Sequence, residues 1–208
     1  MDQNNLNALY RKWIPLASIL IIVLVLGMWG YRYYYSTADI PVIKQMQDFT
    51  LERMDGQEIK LSDSNGKVRL VSFIFTRCPD VCPLTTQIMV DMQEEFKEKG
   101  LYGKDVEFIS ITFDYENDTP EVLQQYAAAV GADATGWQFL RGPDDVMKPA
   151  LEDFWIGAEK QKDGMYVHTM KTFLIDKEMN MRQVYGMAEG MQEEKDKIMH
   201  EIRKLSRE

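Results

Sequence analysis

The stretch that decides the fold runs from Val68 to Pro83 and reads VRLVSFIFTRCPDVCP, an apolar run followed at once by two cysteines. The run from Val68 to Thr76 is rich in β-branched and aromatic residues, which predicts a buried strand. The prolines and the polar stretch beyond them predict a turn that opens a helix. Cys78 and Cys82 therefore lie where a strand passes into a helix.

These two cysteines are the only ones in the chain. At a helix N-terminus the unpaired amides and the positive end of the helix dipole favour thiolate over thiol, and Arg77 adds a positive charge. A spacing of four brings both sulfurs to one helix face, where they can share a metal ion or, after local rearrangement, form a disulfide. The alternatives are buried core cysteines and a structural disulfide, whose short loop would stabilise the fold little.

The N-terminal segment predicts a membrane anchor. From Trp13 to Tyr31 the chain is almost entirely apolar and uncharged, and these nineteen residues would span about 28 Å as a helix, close to the thickness of a bilayer core. Arg11 and Lys12 precede it, which predicts a cytoplasmic N-terminus. The expected order is a short cytoplasmic segment (residues 1–12), a transmembrane anchor (residues 13–31) and a linker (residues 32–44). A signal peptide cleaved near Ala38 is the alternative.

Beyond the anchor, the sequence predicts one extracytoplasmic domain held to the cell membrane by a single span. Of the 24 basic and 33 acidic residues, Arg11, Lys12, Arg32 and Asp2 precede residue 36, which leaves residues 36–208 a formal charge of −11. Nucleic acid and anionic lipid are poor partners for so acidic a domain. Outside the cytoplasm the cysteine pair is redox-competent.

The pattern of elements predicts an α/β, thioredoxin-like fold with an N-terminal β-hairpin extension, preceded by one transmembrane helix. The domain is expected to cover residues 45–208. Thr119 is the expected cap of one helix, with Pro120 at its first position. The predicted elements are a hairpin of 49–53 and 58–62, a strand at 68–76, a helix at 82–99, a strand at 105–113, a helix from 120 to near 131, a strand at 137–140, a helix at 143–154, a hairpin of 167–176 and 181–185, and a helix at 191–203.

Three motifs in order resemble the Sco/SenC family over residues 45–205: FTRCPDVCP at 75–83, TFD at 112–114 leading to DTPE at 118–121, and VHT at 167–169 before TFLID at 172–176. The resemblance implies a membrane-tethered, thioredoxin-fold copper protein that serves assembly of the CuA centre of cytochrome c oxidase. It implies Cys78, Cys82 and His168 as copper ligands and Asp114 as an acidic residue beside them. Tyr115 stands where the family usually has proline, which puts the shape of this loop in question.

The chemistry of this donor set agrees with copper. Two thiolates suit Cu(I), and an imidazole makes Cu(II) tolerable. A closed zinc site needs a fourth ligand, and the other histidine, His200, is predicted to lie on a helix surface. His168 alone could also be a structural histidine at a strand entrance. Met170 aligns with the position of the cis-proline found in redox-active thioredoxins, and its presence there favours metal binding.

The resemblance therefore implies a metallochaperone rather than an enzyme, which delivers copper to, or prepares the thiols of, the CuA centre of cytochrome c oxidase subunit II. The alternative is a thiol-disulfide oxidoreductase in which Cys78 and Cys82 are redox-active thiols that reduce acceptor cysteines without metal. A copper donor protein or a thiol reductant would be a further partner. A copper-dependent sensor would use the same residues, but no output domain is evident.

Overall fold

The computed structural model describes residues 17–30, 39–79 and 81–208. The chain divides after Ile40 into two compact units, and helix α1 (residues 17–30) belongs to the first. The helices of the second unit are α2 (Val81–Glu98), α3 (Pro120–Val130), α4 (Asp144–Asp153), α5 (Glu189–Leu205) and a 3₁₀ helix (Leu61–Ser64). Its strands are β1 (Lys44–Gln45), β2 (Thr50–Arg53), β3 (Glu58–Lys60), β4 (Val68–Ile74), β5 (Val106–Thr112), β6 (Trp137–Arg141), β7 (Ala158–Lys160), β8 (Tyr166–His168), β9 (Lys171–Ile175) and β10 (Asn180–Gly186).

Eight of these strands form one mixed sheet in the order β1-β10-β9-β4-β5-β6-β2-β3. The three strands β4, β5 and β6 are parallel, and β9 lies antiparallel beside β4. The predicted hairpin extension is confirmed as β2 and β3, which pair Leu51 with Ile59. Its turn depends on Gly56, whose φ of 82° favours glycine. The α/β prediction is thus confirmed.

The central strands β4 and β5 are buried along their whole length. Phe73 pairs with Ile111, three residues beyond Phe108, so Phe73 and Phe108 point to opposite faces of the sheet. On one face Phe154, which follows α4, packs against Phe73 with ring centroids 5.1 Å apart. On the other face Phe96 of α2 packs against Phe108 at 6.2 Å. Helical segments therefore cover both faces, as a largely parallel sheet requires.

The start of α3 follows from its sequence. Thr119 is the N-cap, and its hydroxyl accepts a hydrogen bond from the backbone amide of Val122 at 3.4 Å. Pro120 occupies the first helical position, where a missing N–H costs nothing. The helix ends at Gly131, whose φ of 78° gives a left-handed cap.

One predicted strand is wrong. The expected strand 167–176 is two strands in two sheets: β8 pairs with β7 in a separate hairpin, whereas β9 belongs to the main sheet. The cause is a pair of hydrogen bonds that ties Thr169, in the gap, to Gly157: the Thr169 amide donates to the Gly157 carbonyl at 2.8 Å, and the Gly157 amide donates to the Thr169 hydroxyl at 3.1 Å. The short strands β1 and β7 were not predicted.

The predicted anchor is only partly within the described residues. Residues 13–16 and 31 of the expected span lie outside them, as do the expected cytoplasmic segment 1–12 and residues 32–38 of the linker. Residues 17–30 are helical. Among the residues described, no helix combines the length and the apolar character needed to cross a membrane.

Candidate metal centre

The two cysteines lie at the carboxyl end of β4, in the loop that leads into α2. The backbone amide of Cys78 donates to the carbonyl of Phe75 at 3.1 Å, which turns the chain sharply after the strand. Cys82 lies in the first turn of α2 and is fully buried, whereas Cys78 is half-buried. The loop therefore leaves Cys78 partly exposed and Cys82 buried.

Cys78 and Cys82 are free thiols in this structure, and their side chains are hydrogen-bonded to each other. The pKa of the Cys82 thiol lies far above its ordinary value, first because of this hydrogen bond and then because of burial. The sequence predicted that the helix N-terminus would favour thiolate, and for Cys82 this is wrong. Desolvation and the neighbouring sulfur outweigh the helix dipole, so Cys82 keeps its proton until something displaces it.

His168 ends β8, opposite Ala158 of β7. Its ring packs on two aromatic side chains, with centroid distances of 4.9 Å to Phe113 and 6.1 Å to Phe75. His168 Nδ1 lies 3.0 Å from the carbonyl oxygen of Thr169. A carbonyl only accepts, so Nδ1 donates to it, and in the neutral ring the lone pair then lies on Nε2. A backbone carbonyl that fixes the tautomer in this way is a usual support for a metal-binding histidine.

The structure brings the predicted ligands into one region without closing them into a ligand cluster. Phe75 connects them, because its ring contacts His168 and its backbone is hydrogen-bonded to both Cys78 and Cys82. Within residues 17–30, 39–79 and 81–208, no three His, Cys, Asp or Glu side chains converge closely enough to hold a metal ion. The cysteines are together, and the three-residue ligand set stays a prediction.

Asp114, the predicted acidic neighbour, follows β5 and is fully buried. Its carboxylate accepts hydrogen bonds from Arg77 Nη2 at 2.7 Å, from Asn117 Nδ2 at 2.7 Å and from the hydroxyl of Tyr166 at 3.5 Å. The same Arg77 nitrogen donates to the carbonyl of Gly164 at 3.1 Å. Asp114 thus acts on the cysteine loop through Arg77, the residue directly before Cys78.

Asp118 is a site-supporting residue whose role the sequence did not reveal. It is fully buried, and its carboxylate accepts hydrogen bonds from the Thr76 amide at 3.1 Å and from the hydroxyls of Thr76 and Thr112. It therefore joins the end of β5 to the first residue of the cysteine loop. Its place as the first residue of the DTPE segment was the available signal, but a polar residue there is equally typical of a turn.

Tyr115 raised a question about the shape of the loop after Asp114. The guanidinium of Arg141 stacks on its ring, 3.9 Å from the ring centroid, and Arg141 Nη2 donates to its carbonyl oxygen at 2.8 Å. Arg141 also pairs with Glu52 of the N-terminal hairpin at 3.4 Å. The contacts of Arg141 thus hold the loop after Asp114 in the absence of the proline.

Comparison with known proteins gives a consistent result. The SCO1/SenC family model matches residues 39–206. The chain is 29% identical over 153 residues to the SCO1 protein homolog of Bacillus subtilis (strain 168), an alignment that covers 72% of this chain and 78% of that protein.

Two solved structures resemble the fold closely. BsSco, a member of the Sco family of cytochrome c oxidase assembly proteins in which a disulfide switch has been identified, superposes with a TM-score of 0.68 at 28% identity over 80% of this chain and 96% of that one. Arabidopsis thaliana ScoI, crystallised with copper bound, superposes with a TM-score of 0.67 at 26% identity over 76% of this chain and 98% of that one.

Proposed function

The chain belongs to the SCO1/SenC family, and from this premise we propose that it is a membrane-tethered copper-binding protein that delivers copper to, or prepares the thiols of, the CuA centre of cytochrome c oxidase subunit II. Copper is its cargo. Cys78, Cys82 and His168 are the proposed ligands, and Asp114 positions the cysteine loop through Arg77. The relatives support this reading, since one was crystallised with copper and another is a cytochrome c oxidase assembly protein.

The observation that carries the proposal is the arrangement of two thiols and one imidazole around Phe75. Two thiols are already in contact, and the adjacent imidazole has Nδ1 committed to a backbone carbonyl, so its Nε2 lone pair is available. Sulfur donors with one nitrogen donor match the preference of copper. Closing the site requires His168 to approach the thiols, and His168 ends a two-stranded hairpin that lies outside the main sheet.

The proposed tether rests on the sequence. The apolar stretch 13–31 has the length of a single span, and Arg11 and Lys12 before it favour a cytoplasmic N-terminus. The domain would then lie outside the cytoplasm, on the side where a membrane-bound oxidase exposes extracytoplasmic thiols.

A thiol-disulfide oxidoreductase is the second candidate, and the thiol contact supports it. Cys78 is the accessible thiol, so its thiolate would attack one sulfur of an acceptor disulfide and release the other as a thiolate. Cys82 would then lose its proton, attack the Cys78 sulfur of the mixed disulfide and release the second acceptor thiol. The acceptor gains two electrons and the Cys78–Cys82 pair becomes a disulfide, which an external dithiol reductant must reduce again.

The test is a copper titration of the reduced full-length chain in detergent, with His168→Ala and His200→Ala compared in parallel. His200 lies exposed on α5 and serves as the matched control. Loss of the supporting bond of a metal-bound histidine costs about 10–100-fold in affinity, so loss of the ligand itself in His168→Ala should cost at least about 100-fold. His200→Ala should bind as wild type does.

This titration distinguishes the copper chaperone from the thiol-disulfide oxidoreductase. Copper binding that is stoichiometric and depends on His168, with thiolate-to-copper charge-transfer absorbance, supports the chaperone. Binding that is weak and indifferent to His168, together with normal reduction of an acceptor disulfide, would contradict it and leave the oxidoreductase. Cys78→Ser and Cys82→Ser should each abolish both activities.

A further inference from the structure

Large apolar side chains are exposed at two adjoining places in the 41–208 unit. Val42 and Ile43, just before β1, are 56% and 42% exposed, and Trp155, after α4, is 50% exposed. Lys44 joins them, because its ammonium lies 5.6 Å from the Trp155 ring centroid and is paired with the Asp153 carboxylate. We propose that the entry patch, formed by Val42, Ile43 and Trp155, contacts the interface of the bilayer that holds this protein and thereby orients the domain. The inference rests on the proposed tether.

Trp155 is an unusual residue for its position. Its φ is 55°, and two hydrogen bonds close the end of α4 around it: the Trp155 amide to the Glu152 carbonyl at 3.1 Å, and the Ile156 amide to the Leu151 carbonyl at 2.8 Å. This is the Schellman arrangement, in which the left-handed position favours glycine. A bulky residue with positive φ is a true outlier, and such outliers cluster where function requires them. Here the strained backbone at Trp155 leaves half of this residue exposed to solvent.

An indole exposed in this manner suits a membrane interface. Tryptophan prefers the headgroup region, where its apolar ring and its polar N–H are both satisfied. Isoleucine and valine beside it add apolar area. The Lys44 ammonium lies over the Trp155 ring, and a lysine at an interface can direct its ammonium to water while its stem covers apolar surface.

The short connection to α1 favours the bilayer over other partners for this patch. Ten residues separate residue 30 from Pro41. They can reach at most about 36 Å when fully extended. If α1 lies in the bilayer, the start of the domain remains close to the membrane surface. The patch lies at that start, in residues 42 and 43, and continues to Trp155.

The net charge of the domain limits the kind of lipid contact that the entry patch can make. The domain carries a formal charge of −11 over residues 36–208, so anionic lipid repels it and cannot supply the attraction. The contact must therefore be apolar and aromatic, and it should form on purely zwitterionic lipid.

The experiment uses the full chain reconstituted into phosphatidylcholine vesicles, with Trp13 and Trp29 changed to Phe so that Trp137 and Trp155 remain. Extraction with alkaline carbonate first shows whether the chain is integrated in the bilayer. Quenching by brominated phosphatidylcholine then reports contact between Trp155 and lipid.

The unquenched reference is Trp137, which is 1% exposed. Its emission is measured alone in the Trp155→Gly variant, because glycine is the residue preferred at this cap position of α4. Leu84→Trp in that variant is the matched control, because Leu84 is 51% exposed but lies on α2.

We expect the chain to resist extraction, the Trp155 emission to be largely lost, and the Leu84→Trp emission to be retained. A chain that resists extraction with Trp155 unquenched would overturn the entry patch and leave the tether standing. Equal quenching at both positions would also overturn it, because contact would then not be specific to this surface. Release by carbonate would refute the tether and the patch with it, whereas the copper titration would still decide the proposed ligand set.

Discussion

At the scale of single residues, Arg77 connects three parts of the site. One of its nitrogens donates to Asp114 after β5 and to Gly164 in the turn of the β7–β8 hairpin, and its backbone precedes Cys78. The hydrogen bond to Asp114 raises the pKa of the Arg77 guanidinium, which keeps its charge at any relevant pH. Arg77 thus holds the hairpin that carries His168 to the loop that carries the thiols.

Replacing Arg77 with methionine should therefore loosen the site more than the fold. Asn117 and Tyr166 still donate to Asp114, so the buried carboxylate keeps partners. We expect copper affinity to fall by about tenfold, as for loss of a residue that supports a metal ligand. Amide hydrogen exchange should become faster in residues 158–168.

The control for this variant is Arg53→Met, which removes another arginine–aspartate pair, Arg53 with Asp55 in the turn of the β2–β3 hairpin. It should leave copper binding and the exchange of residues 158–168 unchanged. An Arg77→Met protein that binds copper as wild type does, with a fully protected hairpin, would show that Arg77 does not position the site.

At the scale of elements, one buried hydrogen bond joins α2 to the start of α5. The Thr85 hydroxyl accepts from the backbone amide of Ala188 at 2.8 Å, and both residues are buried. Thr85→Val keeps the shape of the side chain and removes the acceptor. The Ala188 amide is then buried without that partner, which should lower the free energy of unfolding by about 1–3 kcal/mol.

Denaturant unfolding of the three proteins, wild type, Thr85→Val and Thr85→Ser, measures this effect. Serine retains the hydroxyl and should lose clearly less stability than valine. If valine and serine prove equally stable, the hydrogen bond contributes nothing and packing alone joins the two helices.

The elements that could be predicted were those with local signals. Thr119, Pro120 and Gly131 mark both ends of α3 within the sequence. The predicted contact of Cys78 with Cys82 is present, but its predicted cause was wrong, because Cys78 lies in the loop before α2 and not on the same helix as Cys82. The division between β8 and β9 could not be read, because residues 167–176 are uniformly strand-like and the division depends on the pairing of Thr169 with Gly157. The bond between Arg77 and Asp114 joins residues 37 apart, so no local pattern announces it.

At the scale of the whole molecule, α2 links the thiol site to a distant polar cluster. The helix begins beside Cys82, and at its other end Lys97 pairs with Asp133 at 2.8 Å. Gln93 of α2 joins the same cluster, because its side chain accepts from the Asp133 amide at 2.8 Å and donates to the Gly131 carbonyl at 3.1 Å. The cluster therefore anchors the far end of the helix that carries Cys82, and the proposed copper site exists only in the folded protein.

Copper should accordingly raise the melting temperature of the reduced protein, because a ligand that binds only the folded state stabilises it by mass action. At a free concentration of about 100 times the dissociation constant the gain is about 2.7 kcal/mol. Calorimetry of wild type and of Cys78→Ser tests this, and the serine variant should show no shift. An equal shift in both proteins would place the bound copper away from the proposed ligands.

The loss of folding stability at acid pH should depend on Asp133. Hydrogen bonds from Lys97 and then from Thr135 lower the pKa of the Asp133 carboxyl from 3.8 to about 2. Because the folded pKa is the lower one, the unfolded chain binds more protons between these two values. The contribution of Asp133 to the free energy of unfolding is thus fully present above pH 3.8 and is lost as the pH falls toward 2.

Asp133→Asn should be less stable than wild type at neutral pH and should lose less further stability between pH 3.8 and pH 2. Denaturant unfolding across the interval measures the slope, with Glu98→Gln, an exposed carboxyl at the end of α2, as the control that should leave it unchanged. Parallel slopes for wild type and Asp133→Asn would mean that the cluster at the end of α2 does not govern acid unfolding.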